Sequence, residues 1–219
     1  SHNKGEREPR MLPLSAQTSE FLVAYLNERV KHLHHSINLR ENDGTAALAS
    51  FIERYVELVP DFIRAFEDFL SMADVAGEIA RQVVTAKEFL DAPVELVSSE
   101  ESLEAHMYQA YLAHRLLEEL NDVLNASYHC PVIPVDMTRS NLIVHHIIGE
   151  PFANQIDGAI QLLNDKLIVA INADGGMQTK LKSYAGTLSN DPITRYPCLT
   201  DSSNIRLLFK SQNSRVRLH

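Results

Sequence analysis

Two histidine–glutamate pairs at helical spacing, His114 with Glu118 and His146 with Glu150, are the residues of this chain best suited by type to do chemistry. Residues four apart share one face of a helix, so each pair could aim an imidazole nitrogen and a carboxylate oxygen at one point. His106 and His145 add further nitrogens on apolar faces of the same segments. Together His106, His114, Glu118, His145, His146 and Glu150 make a candidate N/O ligand set for a divalent metal such as Zn, Fe or Mn. Composition tempers that reading. With 29 acidic residues in 219, about one histidine with an acid at i+4 is expected by chance. Neither pair matches the Glu-x-x-His spacing of carboxylate-bridged bundles, the His-Glu-x-x-His of zinc proteases, or a Cys/His zinc signature.

The other use for these groups is structural. A buried imidazole left without a partner costs about 1–3 kcal/mol, so His106 and His114, which fall in or beside an apolar arc, must each meet something across a core. In "NLIVHHIIGEPF" (141–152), a helical wheel places His145 with Leu142 and Phe152 and His146 beside Glu150. We therefore expect a buried structural His145, a more exposed His146, and a larger loss of stability on removing the first. If the run is a strand instead, the two rings point to opposite faces and cannot hold one ion.

Nucleophilic and phosphate-binding motifs are missing from the sequence. There is no G-x-S-x-G elbow, no G-x-x-x-x-G-K-[ST] loop and no G-x-G-x-x-G fingerprint. Cys130 follows His129, but adjacency in sequence does not make a dyad. Cys130 and Cys198 form neither a disulfide framework nor a metal motif, which fits a reducing, cytoplasmic setting.

Helices must position these groups. Residues 1–14 read as a disordered lead-in, and the apolar positions Leu22, Val23, Leu26, Val30, Leu33 and Ile37 predict a helix from Ser15 or Thr18 to about Arg40. From Leu48 to Ala73 one apolar phase runs unbroken through Pro60, which predicts one kinked helix or two nearly collinear ones. Asp74 is placed to cap a third helix ending near Leu90. Ser98 and Glu101 have capping-box spacing and open a fourth, from about Ser99 to Asn125. Its apolar arc exceeds half of the circumference, which predicts a central position in a bundle. Residues 125–140, with two prolines, read as an irregular surface connector.

Residues 141–172 fit a long helix kinked at Pro151, with a strand–helix–strand unit as the alternative. Four helices upstream favour the former. The fold expected is thus mainly α: a bundle of four to five helices spanning 15–175, with a loop-rich or β-hairpin appendage at 176–219 packed on the same domain.

Hydrophobic residues make up 45% of the chain, enough for a real core, and no apolar run approaches the length of a membrane span. Charge is unevenly spread. From Gly176 onward seven basic residues face two acidic ones, giving +5, while the preceding residues carry 13 basic and 27 acidic, giving −14. The overall balance argues against a nucleic-acid binder. The basic tail alone could grip RNA or an anionic membrane, or it could fold back on an acidic body. An acidic body with a basic tail suits docking onto a protein partner or self-association. The expectation is a non-enzymatic binding or regulatory module, with a metal-dependent enzyme or sensor as the alternative.

Overall fold

A computed structural model describes residues 37–38, 44–91, 103–133, 136–188 and 206–207. The expected helix over 15–40 lies outside them, except at its end. There Ile37–Asn38 (β1) pair antiparallel with Arg206–Leu207 (β2) rather than continuing a helix. Of the β-hairpin expected within the 176–219 appendage, only Arg206–Leu207 falls among the described strand residues.

The described residues form a helical bundle, as the periodicities predict. The unbroken phase becomes α1 (Gly44–Glu57) and α2 (Val59–Ala73), the second of the two collinear options. Pro60 occupies the first turn of α2, where a missing N–H costs nothing. Backbone bonds from Leu58 to Arg54 and from Phe62 to Leu58 carry the helical path across the junction. Phe51, Phe62, Phe66 and Phe69 are all buried, so the aromatic stripe is core. Asp74 departs from expectation. It ends α2 in the left-handed conformation, and the N–H groups of Asp74 and Val75 close back on Ser71 and Leu70. The next helix, α3, starts only at Glu78 and runs to Asp91.

The fourth helix, α4 (Leu103–Tyr128), packs against the six other helices among the described residues. Ala105, Met107, Ala110, Ala113, Leu116, Leu117, Leu120 and Leu124 are fully buried along it. The described part of the connector after α4 is not a surface loop. Cys130, Ile133 and Met137 are buried, and Asn121 holds the segment with both amide atoms, accepting from the N–H of Val132 and Ile133 and donating to the Ile133 carbonyl. Burial pushes the Cys130 thiol up to about 11, the opposite of an activated nucleophile.

The ambiguous region is helical: α5 (Thr138–Ile148) and α6 (Phe152–Asn172) meet at Gly149–Pro151. The wheel through Leu142, His145 and Phe152 chose the wrong face of α5. Ser140, Asn141, Ile143, Val144, Ile147 and Ile148 are buried, whereas Phe152 is exposed. The "ADGG" stretch ends α6 and also starts α7 (Gly175–Ala185), because the Asp174 carboxylate caps the Met177 N–H. Met177 and Leu181 anchor α7 to the bundle. Among the described residues no helix is long and apolar enough to cross a membrane.

Candidate functional site

A cleft of about 290 Å³ opens where α4, α5 and α6 converge. Helix α4 contributes Tyr111, Arg115 and Glu118, spaced four and three apart on one face. Helix α5 contributes Thr138, Asn141, Leu142 and His145 on another, and α6 contributes Asp157. Gly149 sets the angle between α5 and α6. Its φ of 81° and ψ of 162° belong to a region that side chains exclude, so glycine is required at the corner that brings Asp157 over His145.

Arg115 is the hub. Its guanidinium bonds Glu118, reaches Glu119 Oε1 at 3.0 Å and, through Nε, Asp157 Oδ1 at 3.1 Å. Asp157 Oδ1 also accepts the Tyr111 hydroxyl at 2.7 Å, while its Oδ2 lies 2.9 Å from His145 Nδ1. Facing a carboxylate oxygen, Nδ1 carries the ring proton, and Nε2 is the remaining nitrogen. The Tyr111 oxygen is also 3.1 Å from Nδ1.

Three carboxylates therefore share one guanidinium in a half-buried setting. Burial pushes the Glu118 carboxyl up to about 7, although the Arg115 charge and a hydrogen bond from the Asn141 side chain both favour its anion. Burial, followed by the bond to Asp157, holds Tyr111 far above the usual phenol range. Burial works against the Arg115 charge, but its carboxylate partners outweigh it and the guanidinium stays ionised.

Behind the cleft surface, Glu118 Oε2 and Asn141 Nδ2 are closed off from solvent, and the Asn141 side-chain amide faces the Glu118 carboxylate. The other end of the Asn141 amide is committed, since Oδ1 accepts the Tyr55 hydroxyl at 2.6 Å. Behind that wall, His114 lies in the core with its ring 4.0 Å from that of Tyr55. Burial lowers its pKa to about 4, against a smaller opposing effect from its bond to the Tyr55 carbonyl.

Of the six residues singled out by type and spacing, Glu118 and His145 line this cleft. His114 and Glu118 share helical spacing yet serve different neighbours, the Tyr55 carbonyl and Arg115. His145 and His146 are both half-buried, with their rings 5.7 Å apart, so the expected contrast in burial is small. Glu150 is exposed in the turn beyond α5, and His106 is half-buried two turns before His114. Among the described residues no group of three or more His, Cys, Asp or Glu side chains is disposed to hold a metal ion. Tyr111, Arg115, Asn141 and Asp157 line the cleft but are not among the residues singled out by type and spacing. The available signal was the polar arc of α4, formed by Glu104, Tyr108, Arg115, Glu118, Glu119 and Asp122 on an otherwise apolar helix. Nothing local marks Asp157.

Fold and site thus define a helical bundle with a half-buried ionic cleft. No protein-family model matches the chain, and no curated protein or solved structure matches it.

Proposed function

We propose that this chain is a helical binding or regulatory module that holds a small polar ligand in the α4–α5–α6 cleft. The observation that supports this is the cleft itself, about 290 Å³, where Tyr111, Arg115, His145 and Asp157 converge from three helices. A ligand held there would stabilise the folded state in proportion to its occupancy. A thermal-shift screen of small polar metabolites should yield hits that raise the melting temperature. Those hits should be lost in Thr138→Trp, which crowds the cleft from an exposed position. Hits indifferent to that change would place binding elsewhere and end this reading.

A second reading, self-association, is favoured by α6. Leu162 is 72% exposed and Val169 69%, and seven residues apart they share one face. Asp165 and Lys166 lie between them, so an antiparallel two-fold pairing would set Leu162 against the second copy's Val169 and acid against base. Light scattering should show a dimer weakened by salt and abolished by Leu162→Glu. A salt-independent monomer would sink it.

The metal-dependent alternative would have to recruit Glu118 and His145 with Asp157, not the set named from sequence. Stoichiometric Zn, Fe or Mn in the purified protein, with chelator lowering the melting temperature, is what it requires.

A further inference from the structure

His145 is held at one end and open at the other. Its Nδ1 lies 2.9 Å from Asp157 Oδ2 and 3.1 Å from the Tyr111 oxygen. Asp157 is itself fixed from α4, since its Oδ1 accepts from the Tyr111 hydroxyl and from Arg115 Nε. A carboxylate so anchored holds the imidazole in one orientation with the proton on Nδ1, which leaves Nε2 a bare acceptor. Nε2 meets no hydrogen-bond partner among the described residues, and unlike Asn141 Nδ2 and Glu118 Oε2 it is not closed off from solvent. It is the open end of a ring that lines the cleft.

We propose that His145 is a catalytic base, its Nε2 abstracting a C–H proton from a small, uncharged, planar substrate in this cleft, with Asp157 as its positioning residue. This rests on the ligand-site reading given above and adds a reaction to it. A base, a group that orients it and a cleft for the reacting atom are the parts that general-base catalysis requires. The lining narrows the chemistry. Thr138, its aliphatic hydroxyl, stands seven residues before His145 on α5, about 10 Å away by helical rise. No side-chain nucleophile therefore serves Nε2, and the proton comes from the substrate. Arg115, the one Lys or Arg among the lining residues, is committed to Glu118, Glu119 and Asp157, which leaves no spare cation for a localised oxyanion. A substrate that spreads the developing charge through its own π system needs none. The same carboxylates disfavour an anion. The cleft, at about 290 Å³, holds the volume of roughly ten waters, room for one substituted ring. In the step, the C–H bond breaks, its electron pair passes into the π system and the proton moves to Nε2. The proton then returns to another atom of the same molecule, directly or through solvent, so no co-reactant is consumed.

The probe is 5-nitrobenzisoxazole, a neutral planar carbon acid. A base takes its C–H proton, a nitrile forms as the ring N–O bond breaks, and a coloured phenolate results. We expect saturable turnover that is insensitive to chelator. His145→Ala should lower kcat/KM by about a hundredfold. Asp157→Asn should lower kcat by at least about tenfold while KM stays within about twofold, a split that loss of folding or of binding would not give. If His145→Ala fails to fold, His145→Gln and Thr138→Trp, which crowds the cleft from an exposed position, should each abolish turnover. NMR of the His145 ring nitrogens should show the proton on Nδ1 and saturable shifts as the probe is added. A ring protonated on Nε2 alone, or turnover unchanged in the His145 variants, overturns the proposal. Turnover lost to chelator would belong to a metal and overturns it too. Saturable ring shifts without turnover overturn the base while leaving the cleft as a ligand site. Neither shifts nor turnover overturns the two together.

Discussion

His114 Nε2 stands 2.6 Å from the carbonyl oxygen of Tyr55, so a ring in the middle of α4 donates its proton to the backbone of α1 inside the core. Tyr55 works from both ends. Its carbonyl fixes His114, and its hydroxyl fixes the Asn141 amide at the cleft wall. Core packing and cleft geometry are thereby linked through one residue.

Replacing His114 with Ala should destabilise the fold by about 2–4 kcal/mol, combining a cavity with an orphaned carbonyl. Tyr55→Phe should cost less, about 1–2 kcal/mol, because it removes one hydroxyl and leaves the ring. Urea denaturation ranks the two. The reverse order would mean that His114 is tolerated in the core and does not hold it together.

Stability should respond to pH in two opposed ways. The folded pKa of His114 is lowered from 6.5 to about 4, so between those values only the unfolded state takes the proton and stability rises with pH. The folded pKa of Glu118 is raised from 4.5 to about 7, so between those values only the native state keeps the proton and stability falls as pH rises. Asp122, raised from 3.8 to about 6 by burial, adds to the fall. Glu118→Gln combined with Asp122→Asn should therefore unmask a rise from pH 4 to 6.5, and His114→Ala a fall from pH 4.5 to 7. Unfolding free energies measured across pH for both variants check this, and slopes of the same sign would refute it.

Arg115→Met should be among the most damaging single changes, at about 3–5 kcal/mol, since it strands Glu118, Glu119 and Asp157 without their cation. Arg115→Lys should fall between, restoring the charge but not the fork that reaches three acceptors. Chemical denaturation of both variants decides. A loss under about 1 kcal/mol for Arg115→Met would mean that solvent screens the network as it does at a surface.

Gly149→Ala should cost about 1–3 kcal/mol, because φ 81° and ψ 162° admit no Cβ without strain. The change should also loosen the contact between His145 and Asp157. Thermal melts report the first effect and the His145 ring signals in NMR the second. A neutral substitution would show that the α5–α6 corner relaxes freely and does not position the cleft.

By itself, the sequence determined the elements whose signal is local and repeated. The apolar phase from Leu48 to Ala73 specified α1 and α2, including the passage through Pro60, because a helix buries a stripe and proline is harmless in a first turn. The wide apolar arc of α4 likewise put that helix at the centre. Short helices carried less information. In α5, 11 residues with aliphatics on most sides leave several burial faces open, and only packing chose the Ile143–Val144–Ile147–Ile148 face over the Leu142–His145 face. The connector at 130–137 looked like surface because its prolines are local signals, whereas its anchor, Asn121, is supplied by another element. The cleft depended most on tertiary structure. Asp157 has no periodicity or motif around it and gains its partners only when the Gly149 corner folds α6 over α4 and α5. Hydrogen bonding across 34 to 46 residues, as in Tyr111–His145 and Tyr111–Asp157, leaves no spacing rule in the chain.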